Sequence, residues 1–309
     1  MSRGTLTRRA MLRRSVAAAG AAAASAGCSA LLGSDGGDTD VFTKWLPAPS
    51  AVDEVAHYSF DYYDLGALAA QLENLGGEPT VFERTWEPVD MRWDEATAVV
   101  TAGPVDVVTA EFDRDAAVSD LQGAGYDRAG EYKGYARYRN ADAGRVVAVT
   151  DGTLLVSAVD RYGTESVDPT SRIEAVVDAA TGDVDRYAEA NEDMATLVAE
   201  LGAATLVGGR TMDEPESAAA RSGRFENLVA EGARSVVDGA TVEEKWVYLY
   251  DRPRDVDTAA LEAYVEANDN SSEGVGARFA AVEGVDYAKE GRKGIITGTR
   301  DAGEYYGGA

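Results

Sequence analysis

Val146-Val147-Ala148-Val149-Thr150-Asp151-Gly152-Thr153-Leu154-Leu155-Val156-Ser157 reads as two apolar runs around a two-residue turn. Each run is rich in β-branched and aliphatic residues, and Asp-Gly tolerates the positive φ angles that a type I′ turn requires. The segment is therefore a β-hairpin. Ser235-Val236-Val237 and Ala240-Thr241-Val242 flank Asp238-Gly239 in the same way. Two hairpins mean antiparallel pairs, so the fold is not a purely parallel α/β sheet.

Outward from the hairpins, three segments share one rhythm. Val55 to Phe60 leads through Asp61-Tyr62-Tyr63-Asp64 into Leu65–Leu75. Val105 to Phe112 leads through Asp113-Arg114-Asp115 into Ala116–Leu121, and Lys245 to Tyr250 leads through Asp251–Asp257 into Thr258–Ala267. Apolar alternation at period two predicts a half-buried strand. An Asp at the joint accepts hydrogen bonds from the free N–H groups of a helix's first turn. Leu65, Leu68, Leu72 and Leu75 share one helix face, as do Leu261, Tyr264 and Val265. Further helices are expected at Thr170–Ala180, Arg186–Leu201 and Ser217–Ala230, with Gly182 and Gly202 as C-caps. The expected class is α+β, with mixed, largely antiparallel sheets and helices packed on one face. A ferredoxin-like arrangement used twice is the topology this order suggests. It divides the body into a first α+β unit, 41–202, and a second, 203–309. Glu304-Tyr305-Tyr306-Gly307-Gly308-Ala309 carries no core pattern and is expected to fray.

The N-terminus carries an address. Thr7-Arg8-Arg9-Ala10-Met11-Leu12-Arg13 precedes an uncharged run of small residues, which ends in Ser25-Ala26-Gly27-Cys28. That apolar run falls well short of the ~20 residues a spanning helix needs, so it reads as a secretory signal. The first stretch resembles a twin-arginine (Tat) signal, with Met11 and Arg13 where the pattern has Phe and Lys. The second resembles a lipobox, with Ser25 in place of the usual Leu. The resemblance implies that Arg8 and Arg9 direct export of residues 1–27 as a Tat signal peptide, and that Cys28 is the lipidation site. Residues 28–40, including Gly33-Ser34-Asp35-Gly36-Gly37-Asp38-Thr39-Asp40, then form a flexible lipidated tether. The protein is placed on the outer face of the cytoplasmic membrane, where the two acyl chains of a diacylglyceryl group suffice for stable anchoring. In general character the chain is similar to haloarchaeal Tat-exported lipoproteins of unknown function, and that likeness carries no catalytic residue across.

Charge supports the same setting. The chain sums to -25. Residues 1–27 hold five arginines and no acid, which leaves 24 bases against 54 acids, a net -30, on the remainder. So acidic a surface repels itself unless concentrated salt screens it, and suits brine. It excludes nucleic acid as a partner, because phosphate binding needs clustered Lys and Arg. Once Cys28 is acylated no thiol remains, and a single histidine excludes a two-His metal site. No P-loop, G-x-S-x-G or H-E-x-x-H occurs, so neither a cofactor nor a metal is expected.

Other residues carry weaker signals. His57 alternates with Val55 and Phe60, has no nucleophile near it in sequence and reads as a packed or surface histidine. Asp90, Asp94 and Glu95 around Trp93 could mark a sugar site, but read better as a solvated acidic loop. Asp251, Asp255 and Asp257 lack the glycine and bidentate Glu of an EF-hand and read as caps. Gly208-Gly209 and Gly274-Val275-Gly276 read as turns. Tyr126, Tyr132, Tyr135 and Tyr138 are interleaved with Lys133, Arg137 and Arg139. Two readings stay open for this stretch. It is either a partner surface for a protein or carbohydrate, centred on Tyr132, Tyr135 and Arg137, or an edge strand whose bases pair with neighbouring acids. The expectation is a non-enzymatic binding or envelope-associated lipoprotein, with a solute-binding lipoprotein of a transporter as the alternative.

Overall fold

Among the described residues of the computed structural model every strand pairing is antiparallel, and the strands join into one sheet. The structure describes residues 38–52, 56–71, 89, 91–92, 95–158, 167–215, 217–269 and 278–306. Arg8, Arg9, Cys28, Asp90, Trp93, Asp94, Leu72, Leu75 and Gly274-Val275-Gly276 lie outside these residues. The strands are β1 (Ser59–Tyr63), β2 (Ala96–Ala102), β3 (Val105–Ala110), β4 (Asp127–Tyr132), β5 (Tyr135–Asn140), β6 (Arg145–Thr150) and β7 (Thr153–Ala158), followed by β8 (Leu206–Thr211), β9 (Leu228–Asp238), β10 (Thr241–Tyr250), β11 (Glu283–Glu290) and β12 (Lys293–Asp301). Their order is β11-β12-β10-β9-β8-β1-β2-β3-β7-β6-β5-β4, a 12-stranded sheet. The helices are α1 (Asp40–Thr43), α2 (Pro49–Val52), α3 (Leu65–Ala70), α4 (Arg114–Gly123), α5 (Pro169–Thr181), α6 (Tyr187–Ala190), α7 (Glu192–Leu201), α8 (Thr258–Asn268) and α9 (Ala302–Tyr306).

The α+β class and the largely antiparallel sheet are as expected. The three β–α joints form as well, β1–α3, β3–α4 and β10–α8, although in the first Asp61, Tyr62 and Tyr63 belong to the strand and only Asp64 stands at the joint. Their caps are Asp64, Asp113 and Asp257, each accepting from backbone N–H groups of the first helical turn. The ferredoxin-like arrangement does not form. That topology needs a third strand between the two strands of each β–α–β unit, but β1 and β2 are direct neighbours. β3 and β4 are separated by three strands, and only β10–α8–β11 has a single inserted strand, β12. The boundary expected at 202–203 falls between α7 and β8. Strands β1–β7 occupy one half of the sheet and β8–β12 the other, and β1 pairs with β8 where the halves meet.

Helices cover both faces, not one. Along β6, Val146 and Ala148 are buried on one side, and Val147 and Val149 on the other. A strand apolar on both faces needs cover on both. One face carries a continuous core, in which Phe42, Ile173, Val176, Tyr187, Met194, Leu197 and Leu201 from α1, α5, α6 and α7 pack on Phe60, Tyr62, Val107 and Val247. The opposite face carries two separate clusters. α3 and α4 bury Leu65, Leu68, Ala117 and Leu121 against Val99, Val108 and Val147. At the far end α8 buries Leu261, Tyr264 and Val265 against Trp246, Tyr248 and Ile296.

Several local expectations are corrected. Ser217–Ala230 is not a helix. Gly223 and Asn227 take positive φ angles of 76° and 60°, and β9 begins at Leu228. Arg186–Leu201 is broken at Asn191, which caps α7 through the Met194 N–H. The hairpins form at both Asp-Gly sites, but only the glycines, Gly152 and Gly239, have positive φ. The two-residue turn with both angles positive, the type I′ signature, is Lys133-Gly134 at 47° and 87° between β4 and β5. In the C-terminal segment Ala302–Tyr306 forms α9 and Tyr305 packs on the core, while Gly307-Gly308-Ala309 lie outside the described residues.

Candidate functional site

The two clusters on the second face leave the middle of the sheet between them. Pairing registers set what stands there. Asp61 of β1 lies opposite Thr101 of β2 and Gly208 of β8. Gly208 lies opposite Ala233 of β9, and Ala233 opposite Trp246 of β10. Because side chains alternate, Ser59, Asp61, Tyr63, Arg210, Glu231, Ala233 and Ser235 share this face. They line a groove of about 330 Å³ together with Arg278 and with Tyr305, through which α9 reaches one end.

The floor of the groove is low because β8 has glycines in mid-strand. A Cβ at Gly208 would fall 2.6 Å from Asp61 Oδ1. On the other side of the sheet a Cβ at Gly209 would fall 2.9 Å from Leu197 Cδ2. Gly208-Gly209 is thus not a turn but a place where side chains approach the strand from both faces.

The charges in the groove are unequally matched. Glu231 Oε1 accepts from Arg210 Nη2 at 2.8 Å and Nε at 3.1 Å, so that pair is neutralised within the wall. Asp106, beside the groove, is buried and accepts from Thr101 Oγ1 at 2.9 Å. Asp61 makes no hydrogen bond or ion pair among the described residues. Partial burial, and then the charge of Asp106, raise its carboxyl above the ordinary range. Arg278 donates from Nη1 to the Tyr264 hydroxyl at 3.3 Å and pairs with no carboxylate among the described residues. Tyr305 closes one end. Its hydroxyl lies 3.4 Å from Ser235 Oγ, and Arg300 stacks 5.0 Å from its ring centroid.

The tyrosine and arginine stretch sits elsewhere, at the β4 edge of the sheet. Tyr126 and Tyr138 are buried. The Tyr132 hydroxyl donates to Asp178 Oδ1 at 2.7 Å, Lys133 pairs with Asp178 and Asp183, and Arg137 pairs with Glu174. Lys133 and Arg137 both lie over the Tyr132 ring. Tyr135 packs against the continuous core. This is the geometry of an edge hairpin whose bases pair with acids of α5 and with Asp168 and Asp183, which flank it.

His57 has the partners its sequence neighbourhood lacked. Nδ1 is 2.8 Å from Thr211 Oγ1, and Nε2 is 3.1 Å from Asp213 Oδ1. Thr211 Oγ1 is in turn 2.6 Å from the Tyr187 hydroxyl. The order acid–histidine–hydroxyl suggests a nucleophile, but Thr211 and Tyr187 are 3% and 0% exposed, so no substrate reaches them. The chain ties the end of β8 to α6. Of the acidic candidates, Asp257 caps α8, Asp251 pairs with Arg252 and Asp255 with Arg254, while Glu95 accepts from the Arg92 N–H.

No family model matches the chain, and no curated protein matches it at a significant level. Among solved structures, crystal form I of TP0453 is similar at a TM-score of 0.48 and 9% identity, covering 86% of this chain and 94% of that one. Crystal form III gives 0.48 at 10% identity, with 86% and 96% covered. Crystal form IV gives 0.45 at 10%, with 85% and 97% covered.

Proposed function

We propose that this chain is a lipoprotein held at Cys28 on the outer face of the cytoplasmic membrane, where it acts by binding and not by turnover. The observation that carries the binding role is the groove. One sheet face is covered by helices at both ends and open in the middle, where among the described residues Asp61 pairs with no base and Arg278 pairs with no carboxylate. Anchoring rests on the Tat-like Arg8-Arg9 and the lipobox-like Ser25-Ala26-Gly27-Cys28. Tyr132, Tyr135 and Arg137 are the weaker choice for a partner surface, because two of them are already bonded to α5.

Cys28→Ser tests the anchor. Export should persist while the protein moves from the membrane fraction to the medium; retention on membranes as firm as that of wild type would remove Cys28 as the anchor. Turnover of a glycoside or ester by the purified protein, abolished by changing one acid, would overturn the binding role. A solute-binding lipoprotein of a transporter is the second reading, which the groove favours. The single antiparallel sheet stands against it, since such proteins close two domains about a hinge around the ligand.

A further inference from the structure

We propose that the groove over β1, β8 and β9 binds a small zwitterion, its ammonium on Asp61 and its carboxylate on Arg278. This deepens the binding role above and rests on it. Four observations converge. The groove's volume, about 330 Å³, suits a solute of amino-acid size. Its floor, Gly208 and Ala233, has little side chain, so a ligand can lie against the strands. Arg210 pairs with Glu231, while among the described residues Asp61 pairs with no base and Arg278 bonds to the Tyr264 hydroxyl but pairs with no carboxylate, which leaves one negative and one positive group able to recognise charge. Asp61 enters the groove from β1, whereas Arg278 is held from the α8 and β12 side, bonded to Tyr264 and accepting through its carbonyl from Arg300, so the two charges come from different elements.

The setting selects for both charges on one body. In molar salt a single charged group on a ligand competes with abundant K⁺ or Cl⁻ at each subsite. Linking the two groups makes the second contact intramolecular, with a high effective concentration. A net-neutral ligand also approaches a chain of -25 without long-range repulsion. Partial burial raises the Asp61 carboxyl, and a neighbouring ammonium would favour its charged form and offset that cost.

The test uses matched probes: 4-aminobutyrate, which carries both charges, and butyrate and butylammonium, which carry one each. Calorimetric titration of the mature protein in molar KCl should show 4-aminobutyrate binding at least about tenfold more tightly than either control. Asp61→Asn and Arg278→Gln should each remove that advantage. Among the described residues neither side chain pairs with an opposite charge, and Arg278 gives up one bond to the Tyr264 hydroxyl, so both variants should retain the wild-type circular dichroism spectrum. Absence of binding by 4-aminobutyrate, equal binding by a singly charged probe, or undiminished binding by both folded variants would overturn the inference. None of these results would bear on the anchor, which Cys28→Ser tests separately.

Discussion

Asp113 accepts from the backbone N–H groups of Asp115 and Ala116 at 2.9 and 3.2 Å, and so satisfies two of the donors that open α4. Asp113→Ala leaves both to water. It should lower the unfolding free energy by about 1 kcal/mol, read from the midpoint of a urea titration in molar KCl. The capping role was legible because an N-cap acts within three residues of its partners, and the sequence displays that spacing. Glycine in mid-strand was harder. Gly232 faces the continuous core, where a Cβ would fall 2.7 Å from the Gly208 carbonyl oxygen and 2.8 Å from Leu201 Cδ1. Gly232→Ala should cost about 1–3 kcal/mol by forcing β8 and α7 aside, and a midpoint equal to wild type would show that the interface yields freely. Gly208-Gly209 looked like a turn because a glycine pair breaks local propensity. Its actual cause is Asp61 and Leu197, which come from elements distant in sequence. The partners of His57, Thr211 and Asp213, are 154 and 156 residues away, so no local pattern could reveal them.

At the scale of elements, α7 is fixed to the sheet by charge as well as by Leu197 and Leu201. Glu200 near its C-terminus pairs with both Lys245 of β10 and Lys293 of β12, and Asp193 in its first turn lies 2.9 Å from Arg292. Burial alone would raise the Glu200 carboxyl, but the two lysines outweigh it and hold the group below its ordinary range. A folded-state value lower than the unfolded one contributes stability above the ordinary carboxylate range and loses it as pH falls toward the lowered value. From about pH 5 to about pH 3 the wild type should therefore lose more stability than Glu200→Gln. Parallel slopes for the two proteins would show that the bridge adds nothing. Hairpins and β–α joints were readable because their signals, Asp-Gly turns and an Asp before a leucine stripe, are local. Ser217–Ala230 was misread because Phe225 and Leu228 can fill either a helix face or a strand. Gly223 and Asn227 at positive φ decide for the latter, and pairing with β10 completes it. The groove was not legible as a unit. It is composed of alternate residues from β1, β8 and β9, brought together by a strand order that local signals do not encode.

For the molecule as a whole, the open sheet and the surface charge pose one problem. Twelve strands leave two edges, β4 and β11. Both carry charged residues and irregular register, near Arg128/Gly130 and Glu283/Asp286, features that discourage edge-to-edge pairing. Surplus acids on the surface repel one another wherever salt does not screen them. The five arginines of residues 1–27 are lost if the signal is cleaved, and the remaining 24 bases cannot neutralise 54 acids. At ~1 M salt the Debye length is ~3 Å, and surplus charges on the surface barely sense one another. At ~0.1 M it is ~10 Å, a range that spans neighbouring strands and helices, and repulsion acts across the whole fold. Partly buried pairs such as Glu200 with Lys245 and Lys293 are screened far less, so dilution adds repulsion without a matching gain in attraction. The mature protein should accordingly lose far-ultraviolet circular dichroism and its cooperative melting transition on dialysis from molar KCl to ~0.1 M. NaCl at equal ionic strength should preserve the fold as well as KCl, because screening depends on ionic strength and not on the identity of the cation. A spectrum and midpoint unchanged across that dilution would mean that the acidic excess is tolerated without brine. Stability that tracked one cation alone would replace screening with specific ion binding as the cause.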